Sequence, residues 1–65
     1  MKHQNNIITL FREYGLEYEG KYLREAGSEK LCAKFVKGAK VIWRNIYKSN
    51  GNEYIKYDGR EFFFD

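Results

Sequence analysis

The chain has little of what most small-protein chemistries need. It carries one cysteine and one histidine in 65 residues, so an internal disulfide is excluded and the paired Cys and His spacing of a structural zinc site is missing. No apolar run approaches the ~18 residues of a membrane span, and the polar opening MKHQNN does not read as a signal sequence. The expected location is therefore the cytoplasm, the host's cytoplasm if the gene is phage-borne. A phosphate-binding glycine loop and a serine nucleophile motif are also lacking. His3 lies in a terminal stretch expected to fray. Cys32 stands among Leu31, Phe35 and Val36 and reads as a packing cysteine with no histidine to activate it, while Glu17 and Glu19 have no third ligand for a metal. No catalytic residues, metal or cofactor are expected. An RNase-like site built from Arg, Lys and Tyr would leave no spacing signature, so a small RNase-like toxin ranks third among the functional readings.

A chain of this length forms one domain, residues 1–65, and buries only about 60% of the surface its unfolded form exposes. Without a covalent or metal staple its stability must come from packing. Six Tyr, five Phe and one Trp are the source, since each such ring can bury roughly 150 to 250 Å². Phe, Tyr, Met, Ile, Asn and Lys make up 30 of the 65 residues and Gly, Ala, Arg and Pro only 13, the bias of an AT-rich genome such as that of a low-GC bacterium, its phage or its plasmid.

The expected fold class is α+β: an N-terminal amphipathic helix, a second short helix at about 28–37, and a C-terminal three-stranded antiparallel meander. In NNIITLFREYG, Ile7, Ile8, Leu10, Phe11 and Tyr14 recur at helical spacing, with Asn5 or Asn6 as N-cap, Gly15 as the stop and Leu16 folding back on the last turn. Residues 16–26 alternate weakly around Gly20-Lys21, as a short hairpin or an extended connection. GSEKLCAKFVKG matches a helix capped by Ser28 and stopped by Gly38, with Leu31, Cys32, Phe35 and Val36 on one side. The alternative is a strand with Leu31, Ala33 and Phe35 on one face, for which VKGAKV is the hairpin turn.

Asn50-Gly51 and Asp58-Gly59 have the composition of two-residue primed turns. They set Tyr47 opposite Tyr54, Ile46 opposite Ile55, Ile55 opposite Phe62 and Tyr54 opposite Phe63, within strands over 41–48, 53–57 and 60–64. Ile42, Ile46, Ile55, Phe62 and Phe64 then share a core face, with Arg44, Tyr57 and Arg60 in one row where a guanidinium can stack on the ring. Val41, Trp43, Asn45, Tyr47, Tyr54, Lys56, Asp58, Glu61 and Phe63 fall on the opposite face. Either the second helix or residues 16–26 cover that face, or it meets a partner.

Charge sharpens the question. Lys30, Lys34, Lys37, Lys40, Arg44 and Lys48 fall within residues 30–52 with no acid among them, a candidate basic patch for phosphates or an acidic protein surface. The aromatic face itself mixes Lys56 with Asp58 and Glu61, unlike the uniformly positive platform that nucleic-acid backbones favour. The expected function is thus a small basic non-enzymatic binding protein. It would occupy a protein or nucleoprotein surface through Trp43, Asn45, Tyr47, Tyr54, Lys56 and Phe63, as a phage or mobile-element accessory or inhibitor of host nucleic-acid machinery. Direct DNA or RNA binding is the alternative. An exposed edge strand also offers a route to a homodimer.

Overall fold

The computed structural model describes residues 5–25, 27 and 29–64. They form one short helix, α1 (Ile8–Tyr14), and six strands: β1 (Glu17–Leu23), β2 (Leu31–Lys37), β3 (Lys40–Asn45), β4 (Tyr47–Ser49), β5 (Asn52–Tyr57) and β6 (Arg60–Phe63). The strands make two three-stranded antiparallel sheets, β1-β2-β3 and β4-β5-β6. The fold is therefore mostly β, which corrects the expectation of two helices and a single C-terminal meander.

The largest correction concerns residues 28–37. Their described part is β2, not a helix: Ala33 and Phe35 are fully buried while Cys32, Lys34 and Val36 alternate to the other side. Gly38 does not stop a helix. It opens the tight turn Gly38-Ala39 between Lys37 and Lys40, which pair across it, and its φ of +60° belongs to a II′ turn, where the first residue must be left-handed. Pairing on both edges, with β1 and with β3, outweighs the helical pattern of this short stretch. The proposed Ser28 cap lies outside the described residues. The weakly patterned residues that follow α1 form one strand, β1, whose register slips between Tyr18 and Gly20.

A second correction falls within 41–48, expected as one strand of the meander. The chain breaks at Ile46: β3 pairs with β2, and only β4 pairs with β5. Ile46 packs against the core while Asn45 and Tyr47 are both exposed, so inside–outside alternation runs through the break although the sheet does not. Downstream the register is the one the glycine turns dictate, with Tyr47 opposite Tyr54, Tyr54 opposite Phe63 and Ile55 opposite Phe62.

The core lies between the sheets and is closed by α1. Ala33 and Phe35 from one sheet meet Ile55 and Phe62 from the other, with Ile7, Leu10 and Leu16 from the helix and its ends. Tyr18 ties the layers together, its ring centroid 5.5 Å from Phe35 and 5.6 Å from Phe64. The N-cap position is held by Ile7, not by Asn5 or Asn6 as the sequence suggested, but Asn6 still supports the first turn: its Oδ1 accepts the Ile8 N–H at 3.0 Å and its carbonyl accepts the Thr9 N–H at 2.9 Å. After Gly15 the Leu16 N–H returns to the Leu10 carbonyl at 3.1 Å and Leu16 is buried, the expected fold-back. The helix is not buried along its whole apolar set, however. Ile7, Leu10 and Tyr14 turn inward, whereas Ile8 and Phe11 stay exposed, because five apolar positions in eight residues span more than the one face a sheet can cover.

Candidate binding surface

The outer face of the β4-β5-β6 sheet carries an aromatic row. Tyr47, Tyr54 and Phe63 are cross-strand partners, and each alternates with an inward residue, Ile46, Ile55 or Phe62. The Tyr47 and Tyr54 centroids are 5.6 Å apart with the rings 28° from parallel, and those of Tyr54 and Phe63 are 5.1 Å apart at 40°. Lys56 Nζ sits 4.7 Å above the Tyr47 ring, and Glu61 is the cross-strand partner of Lys56. Tyr47 and Tyr54 thus stack, Tyr54 is tilted against Phe63, and a cation stands over Tyr47, so part of the ring-face area is taken up within the row itself.

Trp43 and Asn45 lie on the adjoining outer face, that of β1-β2-β3. Lys34 Nζ stands 5.4 Å from the Tyr22 centroid and 5.9 Å from that of Trp43, so one lysine sits against two rings from the two flanking strands. Asn45 Oδ1 is 3.8 Å from Cys32 Sγ, at the end of the same face. Cys32 is thus half-buried on the outer side of β2, not packed with Phe35 in the core as its neighbours suggested. Because alternation persists through Ile46, Trp43, Asn45 and Tyr47 follow one another on the outside of the bend, and the candidate partner-binding residues form two clusters joined by the β3–β4 junction. Sequence reasoning missed Tyr22, which enters the first cluster only because β1 pairs with β2.

The six basic residues do not assemble as one patch. Lys34 belongs to the outer face, and Lys37 and Lys40 flank the β2–β3 turn. Arg44, opposite buried Ala33, points to the core side. Its guanidinium lies 5.1 Å from the Tyr57 centroid and donates to the Trp43 carbonyl at 2.9 Å. Lys48 is the partner of Glu53. Lys30 precedes β2 and lines an open cleft of about 840 Å³ with Lys21, Lys48, Glu29 and Glu53. Two glutamates temper the three lysines there. Arg60 stacks not on Tyr57 but over Phe62, 4.8 Å from its centroid, and Asp58 leaves the aromatic face to accept the Tyr14 hydroxyl at 2.9 Å.

Two ion pairs tie elements together. Lys21 on β1 reaches Glu53 on β5, bridging the sheets, and its Nζ also lies 4.8 Å above Phe64. Arg60 on β6 donates to Glu13 on α1 at 2.6 Å, to the Tyr14 hydroxyl at 3.1 Å and to Asn5 Oδ1 at 3.1 Å. Those hydrogen bonds hold the Glu53 and Glu13 carboxyls below the ordinary glutamate range and raise Arg60. Burial pushes the Tyr18 phenol above its usual value. Among the described residues no three His, Cys, Asp or Glu side chains gather as a metal site, and His3 lies outside them. No helix among them is long and apolar enough to cross a membrane. Compared with known protein families, curated proteins and solved structures, the chain matches none.

Proposed function

We propose that this chain is a non-enzymatic binding protein that docks on a protein or nucleoprotein surface through Tyr47, Tyr54, Phe63 and Lys56, extended around the β3–β4 bend by Trp43 and Asn45. The observation that carries this reading is the orientation of the aromatic row. A base-stacking platform needs ring faces open to solvent. Here Tyr47 and Tyr54 face each other, Tyr54 leans on Phe63, and Lys56 stands over Tyr47. Tyrosine hydroxyls beside the opposite charges of Lys56 and Glu61, which face each other across β5 and β6, suit a protein surface instead, where Tyr and Trp anchor and mixed charges form the rim. The AT-rich composition fits a phage or mobile-element accessory or inhibitor acting on host nucleic-acid machinery in the cytoplasm.

The test is capture of partners by the tagged chain from a low-GC bacterial lysate, with and without nuclease. The expected result is a protein retained after nuclease and lost with Tyr54→Ala, with triple charge reversal at Lys34, Lys37 and Lys40 slowing association more than it speeds dissociation. Direct nucleic-acid binding would look different. Random oligonucleotides would bind at micromolar or lower concentration, log K would fall by roughly 0.7 to 0.9 per phosphate contact as log salt rises, and Tyr54→Ala would have no effect. That outcome would overturn the proposal.

A further inference from the structure

Helix α1 leaves two large apolar side chains in solvent, Ile8 at 68% and Phe11 at 63% exposure. Three residues apart, they lie side by side on the helix surface. A groove of about 320 Å³ opens next to them, lined by Ile7, Ile8, Phe11, Leu16, Glu17 and Tyr18. That is about twice the ~150 Å³ cavity known to hold a benzene ring. A protruding aromatic and a hole able to take one thus occupy the same patch.

The rim of the patch carries one charge of each sign. Arg12 lies one helical turn beyond Ile8 on the same side of α1, and Glu17 lines the groove. Both are exposed, and among the described residues neither side chain has an ion pair or a hydrogen bond. Glu13, the acidic neighbour of Arg12, is engaged by Arg60. A patch that holds knob, hole, cation and anion together is complementary to itself under two-fold rotation. We infer that this helix face is a two-fold contact between two copies of the chain, in which Phe11 of each enters the groove of the other and each Arg12 meets the other's Glu17.

The β1 and β4 edges compete poorly for the same role. The β1 edge is interrupted by its register slip and carries Lys21 turned toward Glu53, and β4 is three residues long, all features that discourage edge pairing. The helix patch is small against the ~800 Å² per partner of a standard interface, so the dimer forms at high concentration and dissociates on dilution.

The experiment is sedimentation equilibrium of the full chain from about 10 μM to about 1 mM, a range that brackets the weak association expected of so small a contact. A monomer–dimer equilibrium is expected, weakened about tenfold or more by Phe11→Asp. Arg12→Glu and Glu17→Arg should each weaken it, and the two together should restore it because the pairs re-form with reversed sign. All three positions are exposed, so circular dichroism should show every variant folded. A dimer indifferent to Phe11→Asp would place the contact at a sheet edge and overturn the inference, as would charge reversals that fail to compensate. A monomer at every concentration would also overturn it, leaving the patch to a different protein.

Discussion

Tyr54 and Ile55 are neighbours on β5 whose side chains leave the strand in opposite directions, one into the aromatic row and one into the core. Ile55 is fully buried opposite fully buried Phe62, so Ile55→Ala removes apolar contacts and leaves a cavity between the sheets. Its expected cost is about 2 to 5 kcal/mol, a large part of the total for a domain this small, and urea denaturation should show it as a lowered midpoint. Tyr54 is half-buried between Tyr47 and Phe63, and Tyr54→Ala loses two cross-strand ring contacts worth about 0.2 to 1 kcal/mol each. The larger effect of Tyr54→Ala should be on partner binding. Equal destabilisation by the two substitutions would mean that the row is structural and would remove the basis of the proposed function.

At the scale of the element, the turns carry the register. Asn50 and Gly51 have φ of 51° and 81°, and Asp58 and Gly59 have 53° and 71°, so both positions of each turn are left-handed, as type I′ requires. No atom lies within 4 Å of a Cβ added at Gly59. Gly59→Ala therefore meets no clash and costs only backbone strain, about 1 to 2 kcal/mol, which should lower the melting temperature by about 4 to 16 °C. These turns were legible because Asn-Gly and Asp-Gly act locally, and everything whose register they set, from Tyr47 to Phe63, was legible with them. The break at Ile46 was not. No glycine or charge marks it, and it arises because β2, distant in sequence, claims β3 while β5 claims β4. For β2 itself, Leu31 and Phe35 with the lysines around them satisfy both helical and strand periods, and only pairing on two edges decides between them. The same pairing brings Tyr22 to Lys34 and Trp43, a cluster invisible until β1 and β2 are neighbours, and sends Arg44 inward out of the basic run.

The whole molecule measures 35 × 31 × 18 Å, thin enough that two sheets with one layer of side chains between them account for the short dimension. Among the described residues the sheets are joined by the continuous chain at Ile46, the shared core of Ala33, Phe35, Ile55 and Phe62, the Arg44 guanidinium over the Tyr57 ring, the Tyr18–Phe64 ring contact, and the Lys21–Glu53 pair between β1 and β5. Glu13–Arg60 adds a tie from the helix to β6. These ties make stability depend on pH in a definite direction. Glu53 and Glu13 have carboxyls lowered by hydrogen bonds from Lys21 and Arg60, so the unfolded chain takes up protons first as pH falls. Their contribution is fully present above the ordinary glutamate range and is lost as pH drops through the lower folded values. Tyr18, raised by burial, acts at the other end: its contribution is full below the usual tyrosine value near 10 and is lost as pH rises through the higher folded one. Both ion pairs are solvent-accessible, so the acid effect should be modest and shrink as salt is added. Denaturant titrations from pH 7 to pH 2 should show stability falling below the ordinary glutamate range. Glu53→Gln should flatten that fall in part, and Glu13→Gln with Glu53→Gln should flatten it further, because their ties act on different elements and add. A slope unchanged in the double variant would assign the acid sensitivity to other carboxylates and show that the Lys21–Glu53 bridge does not help hold the sheets closed.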